Sequence, residues 1–566
     1  MESQFEGSLF NTRWKYWLEK WFYLLVGAGI LVNASGLLLP VLEPDGALYA
    51  TISKNMVLTR DYINLRVQGI DWLDKPHFPF WITAVSFNLF GVNSFAYKLP
   101  ALLFWLAGAY YTYALAKKLY NQQTARLSVL VYLSVEHLII SNNDVRAEPY
   151  LTGLVIAATY YYYRAYRENK WIFIFPGSLF LGMATMTKGI FIPAMVFSGF
   201  VIEWLVKKKW DEFLNPRWWI SILLLMLFIT PELICLYIQF DQHPEKIVFG
   251  TTHVSGLRFF FWDSQFGRFF NTGPIRGNGD LFFYMHTMLW AFLPWSPFVL
   301  LMLFSKLKKI KKQVQICSDY ICSGIFITGF IIFSLSRFQL PHYLNFLYPF
   351  LSILVARYIA GLENVVQKKI ILYAQNILYL IFFVSCSTLI VVFGLPHILI
   401  TTIILLLIAI ILYRLFPGNM LENIMGRSFS AVLVVNLVLN GLFYPELFKY
   451  ESGIWAASFL EKNKHPGTVY TISEISSEYA FELYSPQPVF QLKRSDLNFL
   501  KDSVLVFTPK FELDTLRKEG FTINEIRSFP HFPISRLTGT FINRYTRNQV
   551  VDSTIIAAIY PRKKSL

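Results

Sequence analysis

Glu43, Pro44, Asp45, Gly46, Ala47, Leu48, Tyr49 and Ala50 follow directly on the first long apolar stretch of the chain. A carboxylate at that depth is costly unless it is used. Asp45 suits a general base that takes the proton from an acceptor hydroxyl or amine as that atom attacks an anomeric carbon. Pro-Asp-Gly also suits a turn or a helix cap, and residue type alone leaves both readings open.

Further along come Asp71, Trp72, Leu73, Asp74, Lys75, Pro76 and His77, and then an aromatic run. A fixed cation such as Lys75 would stabilise a phosphate leaving group more as its charge grows in the transition state than in the ground state. A snorkelling lysine paired with Asp74 is the alternative. Asp144, Arg146 and Glu148 stand together in a short connection that needs no charge merely to turn. The two acids suit sugar hydroxyls or the orientation of Lys75, or a plain ion pair with Arg146. Thr187, Lys188 and Gly189 interrupt an apolar hairpin with another cation. Arg258 and Arg268, ten positions apart among aromatics, suit phosphate and prenyl contact, or anchoring to lipid head groups. Arg337 adds a cation beside the helix break at Pro341. The lone histidines, His286 and His397 among them, are expected to pack or bond locally.

These stations are embedded in a chain that is 55% hydrophobic and only 15% charged, with mean hydropathy +0.43. That makes the bilayer its main solvent. The net charge of +15 does not point to nucleic acid, because Lys and Arg cluster in short tracts between apolar spans, as in cytoplasmic loops of membrane proteins. Cys235, Cys317, Cys322 and Cys386 lie in or beside apolar spans and suggest neither disulfides nor a four-ligand metal site.

A spanning helix needs roughly 20 apolar residues. Thirteen candidates are expected, at 21–42, 97–116, 127–141, 150–166, 171–186, 190–206, 218–240, 284–304, 317–335, 342–358, 370–393, 397–413 and 428–447. The first reads as a retained anchor with a cytoplasmic N-terminus, since it follows Arg13, Lys15 and Lys20 and lacks a small-residue cleavage site. The basic tracts, including Lys117, Lys118, Lys207 to Lys209 and the run from Lys306 to Lys312, then fall in alternate loops. The long loops 43–96 and 241–283 and the tail are thereby expected outside. Their aromatic stretches, 78–90 and 257–270, suggest interfacial helices roofing a cavity. The expectation is an all-α polytopic membrane domain over 1–450 and a small extracytoplasmic α/β domain over 451–566. The tail offers strands near 468–472 and 503–508 and a helix near 512–519.

Taken in order, these stations resemble the GT-C superfamily, and within it the bacterial aminoarabinose transferases and protein O-mannosyltransferases. The motifs are Asp45 with Tyr49 and Ala50, then Asp74-Lys75-Pro76, then Thr187-Lys188-Gly189. The run Arg258 to Trp262 with Arg268 and Phe269 follows, and last Leu340-Pro341 with Tyr343. Gly46 stands where the family's second acid is usual. The resemblance implies inverting transfer of one sugar from an undecaprenyl- or dolichyl-phosphate donor to lipid A, another glycan or a protein. Asp45 would be the base, with Lys75, Arg258 and Arg268 at the phosphate. Some relatives carry a histidine where Gln265 stands, within a divalent-metal site, so metal binding is not carried over and no cofactor is assigned.

A transporter or flippase is the rival class, but it would place polar groups near the membrane midplane and often in paired repeats. Here the charges collect at one predicted surface. Within enzymes, a polymerase or ligase using diphosphate-linked glycans is the alternative, separated only by donor type.

Overall fold

The computed structural model describes residues 2–307, 320–464, 467–472 and 478–561. Cys317 and the basic residues Lys308, Lys309, Lys311 and Lys312 lie outside the described residues.

The chain is mostly helical. The first half runs α1 (Glu2–Ala34), α2 (Asp45–Thr59), α3 (Phe78–Phe90), α4 (Ser94–Leu119), α5 (Gln122–Leu133), α6 (Glu136–Asn143), α7 (Glu148–Glu168), α8 (Ile174–Lys188), α9 (Phe191–Val206) and α10 (Pro216–Leu236). A two-residue hairpin, β1 (Arg66–Val67) with β2 (Ile70–Asp71), lies between α2 and α3. Asparagines start several helices by accepting backbone N–H groups: Asn93 for α4, Asn121 for α5 and Asn215 ahead of Pro216 for α10. Helices α4 and α7 meet backbone to backbone. A Cβ on Gly153 would stand 2.0 Å from the Phe104 carbonyl oxygen, so glycine is required for that approach.

The second long loop is itself helical. Short α11 (Gly256–Arg258) and α12 (Arg268–Phe270) flank a π-helical stretch, Phe259–Gly267. Then come α13 (Phe283–Ala291), α14 (Ser296–Leu307), α15 (Ile321–Leu335), α16 (Tyr348–Ala360), α17 (Val365–Phe393), α18 (Ile398–Leu415), α19 (Met420–Val438) and α20 (Tyr444–Leu447).

Thirteen spans were expected, whereas six helices among the described residues are long and apolar enough to cross a membrane, or seven if α5 and α6 make one span. The difference is local. Helix α1 ends at Ala34, short of the expected 42, and neither it nor α7 counts as a span; α8, α9 and α15 are short, α5 and α6 meet at a 51° bend, and the 284–304 stretch breaks into α13 and α14. Helix α18 leaves most of its apolar side chains exposed, as a lipid-facing helix would.

The tail folds as α21 (Ser452–Lys462), β3 (Val469–Thr471), α22 (Glu478–Tyr484), β4 (Val489–Gln491), β5 (Val504–Pro509), α23 (Lys510–Lys518), β6 (Thr522–His531), α24 (Gly539–Ile542) and β7 (Asp552–Tyr560). The strands form one sheet in the order β4-β3-β5-β7-β6. β3 is parallel to both β4 and β5, and β7 is antiparallel to β5 and β6. The main core runs through the helical region and takes in Ala480 and Leu483 of α22, while Phe481 of the same helix stacks on Phe507 in the core beneath the sheet.

Candidate active site

Five connections deliver the charged stations to one cavity. Asp45 is the first residue of α2, not part of a free turn, and Tyr49 stands one turn behind it on the same face. Asp74 and Lys75 lie in the loop entering α3. Glu148 opens α7 ahead of Pro149, a first-turn position that favours an acid. Lys188 ends α8, and Gly189 beyond it has φ +118°, a conformation suited to glycine. A Cβ on Gly189 would stand 2.1 Å from the Gln265 amide, so its absence lets Gln265 donate to the Lys188 carbonyl at 3.2 Å. Arg268 begins α12.

The polar chamber, about 460 Å³, is lined by Asp45, Tyr49, Asp74, Lys75, Arg146 and Glu148, and by Lys188, Arg268, His342 and Tyr343. A second void of about 610 Å³ shares Asp74, Lys75, Lys188, Arg268, Phe338 and Tyr343 with it, and extends between Phe191 and Ile192 of α9 and Ile332 and Phe333 of α15. The two make one cavity with a charged end and an apolar arm.

Three charge groups shape the charged end. Arg146 donates to Asp45 at 2.6 Å and to Asp144 at 2.8 and 3.1 Å. Lys75 donates to one oxygen of Asp74 at 2.7 Å, and Arg268 to the other. Lys188 donates to Glu148 at 2.5 Å and sits 3.7 Å from the Tyr343 ring centroid, a cation–π contact. Burial works to raise the Asp74 carboxyl, but Lys75 and Arg268 outweigh it and hold it down to about 2. Burial pushes the Lys75 ammonium below its ordinary value, against the pull of Asp74. Burial, reinforced by Asp45 and Asp74, pushes the Tyr49 phenol well above its ordinary value, so it stays a neutral donor. The Arg268 Nε–H is buried with no hydrogen-bond partner among the described residues, leaving a donor for an incoming anion.

Asp45, Tyr49, Asp74, Lys75, Glu148, Lys188 and Arg268 are therefore brought together, with Asp144 held just behind Arg146. Two stations stand apart. Arg258 is 73% exposed and pairs with Asp263 at 3.6 Å, and Arg337 is also exposed; neither lines the cavity. Arg146 was anticipated only as a partner for nearby acids, and nothing in the sequence joined it to Asp45. His77 and Glu232 were missed. His77 donates its backbone N–H to Glu232 at 2.8 Å, its Nδ1 lies 3.1 Å from both carboxylate oxygens, and both side chains are fully buried. Glu232 alone in an apolar span was the available signal, because a lone acid there requires a partner. Among the described residues no group of three or more His, Cys, Asp or Glu side chains could hold a metal ion. The Gln265 amide donates to the Lys188 carbonyl and the Ser264 hydroxyl, and the charged side chains lining the same void are Asp74, Lys75, Lys188 and Arg268, three cations to one acid.

The chain is similar to known proteins in sequence and in fold. Residues 74–235 match a family model described as dolichyl-phosphate-mannose-protein mannosyltransferase. An undecaprenyl phosphate-alpha-4-amino-4-deoxy-L-arabinose arabinosyl transferase of Proteus mirabilis is 25% identical over 56% of this chain and 55% of its own length. Its Pseudomonas aeruginosa counterpart is 24% identical over 58% and 57%. The chain thus spans little more than half the length of these relatives. The crystal structure of ArnT from Cupriavidus metallidurans bound to undecaprenyl phosphate superposes with a TM-score of 0.73 at 16% identity, over 95% of this chain and 98% of that one. The chain has that fold, and over about half its length it is similar in sequence to these arabinosyl transferases.

Proposed function

We propose that this chain is an inverting glycosyltransferase of the cytoplasmic membrane. It moves one sugar from a polyprenyl-phosphate donor, undecaprenyl phosphate by resemblance, to a hydroxyl or amine of lipid A, another glycan or a protein. Transfer takes place on the outer side, where loops 43–96 and 241–283 and the tail lie, with the N-terminus in the cytoplasm.

The observation that carries this reading is the single cavity that joins a carboxylate end, a two-cation anion site and an apolar arm. A phosphate held by Lys75 and Arg268 would lay its prenyl chain between α9 and α15 and present its sugar towards Asp45 and Glu148. Glu148 and the Tyr49 hydroxyl offer partners for sugar hydroxyls. As the acceptor oxygen or nitrogen bonds to the anomeric carbon, Asp45 takes its proton. The bond from that carbon to the phosphate oxygen breaks on the opposite face, and the electron pair leaves with polyprenyl phosphate. The phosphate thereby gains a negative charge, which Lys75 and the free Arg268 donor are positioned to stabilise.

The test is release of free polyprenyl phosphate by purified protein supplied with labelled polyprenyl-monophosphate sugars and membrane acceptors. Release that requires both acceptor and Asp45 is expected. No release across the panel would end the reading, and release only from diphosphate-linked glycans would replace it with a polymerase or ligase.

A further inference from the structure

We infer that the C-terminal unit holds Asp45 in place, through a joint between α22 and the back of α2 in which Lys54 and Glu482 are positioning residues. This rests on the reading of Asp45 as the base.

Helix α2 has two working faces. Asp45 and Tyr49 look into the cavity. At about 100° per residue Thr51 and Lys54 lie on the far side of the helix and Asn55 on its flank, and all three bond to α22 or the residue that follows it. Thr51 donates to the Tyr479 carbonyl at 2.9 Å. The Lys54 ammonium is buried and donates to the carbonyls of Glu482, Leu483 and Ser485 at 2.6, 3.2 and 2.8 Å. The first two belong to the last turn of α22 and the third follows it, the natural place for a cation at a helix end. Asn55 donates to the Glu482 carboxylate at 2.9 Å.

The joint continues on both sides. Glu43, two residues before Asp45, accepts the Ala480 backbone N–H. The Tyr484 hydroxyl accepts the Val41 N–H at 2.9 Å and lies 2.7 Å from the Ser94 hydroxyl. Glu482 also accepts the Gln68 N–H at 3.2 and 3.3 Å, in the turn of the hairpin that leads to Asp74 and Lys75. One short helix therefore braces the segment carrying the base and the loop carrying the anion site. Its own place is fixed from both sides, with Ala480 and Leu483 in the helical core and Phe481 stacked under the sheet.

A buried ammonium that caps three carbonyls cannot be replaced by an apolar side chain without leaving those carbonyls unpaired. The experiment compares the full-length wild type with Lys54→Met and Lys54→Arg by amide hydrogen exchange and by transfer kinetics. In Lys54→Met, exchange in residues 46–54 should quicken about tenfold while α4 and α7 keep their protection. Turnover should fall about tenfold or more, with the donor KM within about twofold, because Lys54 ties only α2 to the joint, while Glu482 still accepts from Gln68 and braces the hairpin ahead of the anion site. Lys54→Arg should restore most of both. Unchanged exchange in folded Lys54→Met, or a Lys54→Arg that behaves like Lys54→Met, overturns the inference. Should Lys54→Met fail to fold, Glu482→Gln, nearly equal in volume, should move both readouts in the same direction by less; no movement overturns the inference. If the wild type releases no polyprenyl phosphate from any donor, the transferase reading falls and the exchange comparison alone decides the joint.

Discussion

Nη1 of Arg146 lies 2.6 Å from Oδ2 of Asp45, and the same guanidinium holds Asp144, so two carboxylates 99 positions apart share one cation. Asp45 is thus aimed before any acceptor arrives. Replacing it with Asn keeps the shape and removes the proton acceptor. Asp45→Asn should lower transfer by about 10²- to 10⁴-fold, with unchanged thermal unfolding and donor binding. Polyprenyl phosphate release and donor binding by the same preparation measure both, and normal transfer by this variant would remove Asp45 as the base.

Lys75 and Arg268 meet on opposite oxygens of Asp74, so they act on the donor as a unit. Lys75→Ala should weaken donor binding by about 10- to 100-fold, the loss of one charge-assisted hydrogen bond. Adding Arg268→Ala should cost less than the separate effects combined, since each cation leans on the other through Asp74. A double-mutant cycle of donor affinity reads this directly, and strict additivity would mean that the two act independently.

The apolar arm makes a prediction about chain length. Ile332→Trp places a large side chain in the void between α9 and α15. Turnover of long-chain donors should drop about tenfold or more, while a donor with a chain of about ten carbons is spared. Equal loss for both would show that the chain runs elsewhere.

His77 and Glu232 form a buried pair that fastens the Lys75 loop to α10. Burial works to lower the His77 pKa, but the Glu232 charge outweighs it and raises it above the ordinary 6.5. Protonated His77 therefore stabilises the fold fully below about pH 6.5, and that contribution is lost as pH rises through the raised value. Glu232→Gln should destabilise the protein by about 3–5 kcal/mol and flatten the pH dependence of unfolding as pH rises from about 6.5. Unfolding midpoints across that range, for both proteins, supply the comparison; parallel curves would exclude the pair as the titrating element.

The charged stations were legible because an apolar chain cannot carry Asp45, Lys75, Glu148 or Lys188 without a reason. The strands and the helix expected in the tail appear at Val469–Thr471, Val504–Pro509 and Lys510–Lys518, where β-prone runs and a helix-like stretch marked them. What sequence could not supply was pairing across distance: Arg146 to Asp45, His77 to Glu232 and Lys54 to α22 each join segments about 100 or more positions apart, and local pattern holds no record of them. Helix α2 was hidden for a different reason, because Pro-Asp-Gly suits a turn and a helix start equally well. Arg258 shows the converse, in that a run of aromatics marked its neighbourhood but not the direction its side chain faces.

Around the cavity, Lys75, Arg146, Lys188 and Arg268 are matched against Asp45, Asp74, Asp144 and Glu148. Four cations and four carboxylates cancel, but not evenly: Asp74 carries two cations at one end and Arg146 carries two acids at the other. The chamber is therefore a dipole of fixed charges rather than a basic basin. Its field fades with distance faster than that of a lone cation. A phosphate is oriented once it has entered but is not drawn in from afar, so the membrane must deliver the donor to the door.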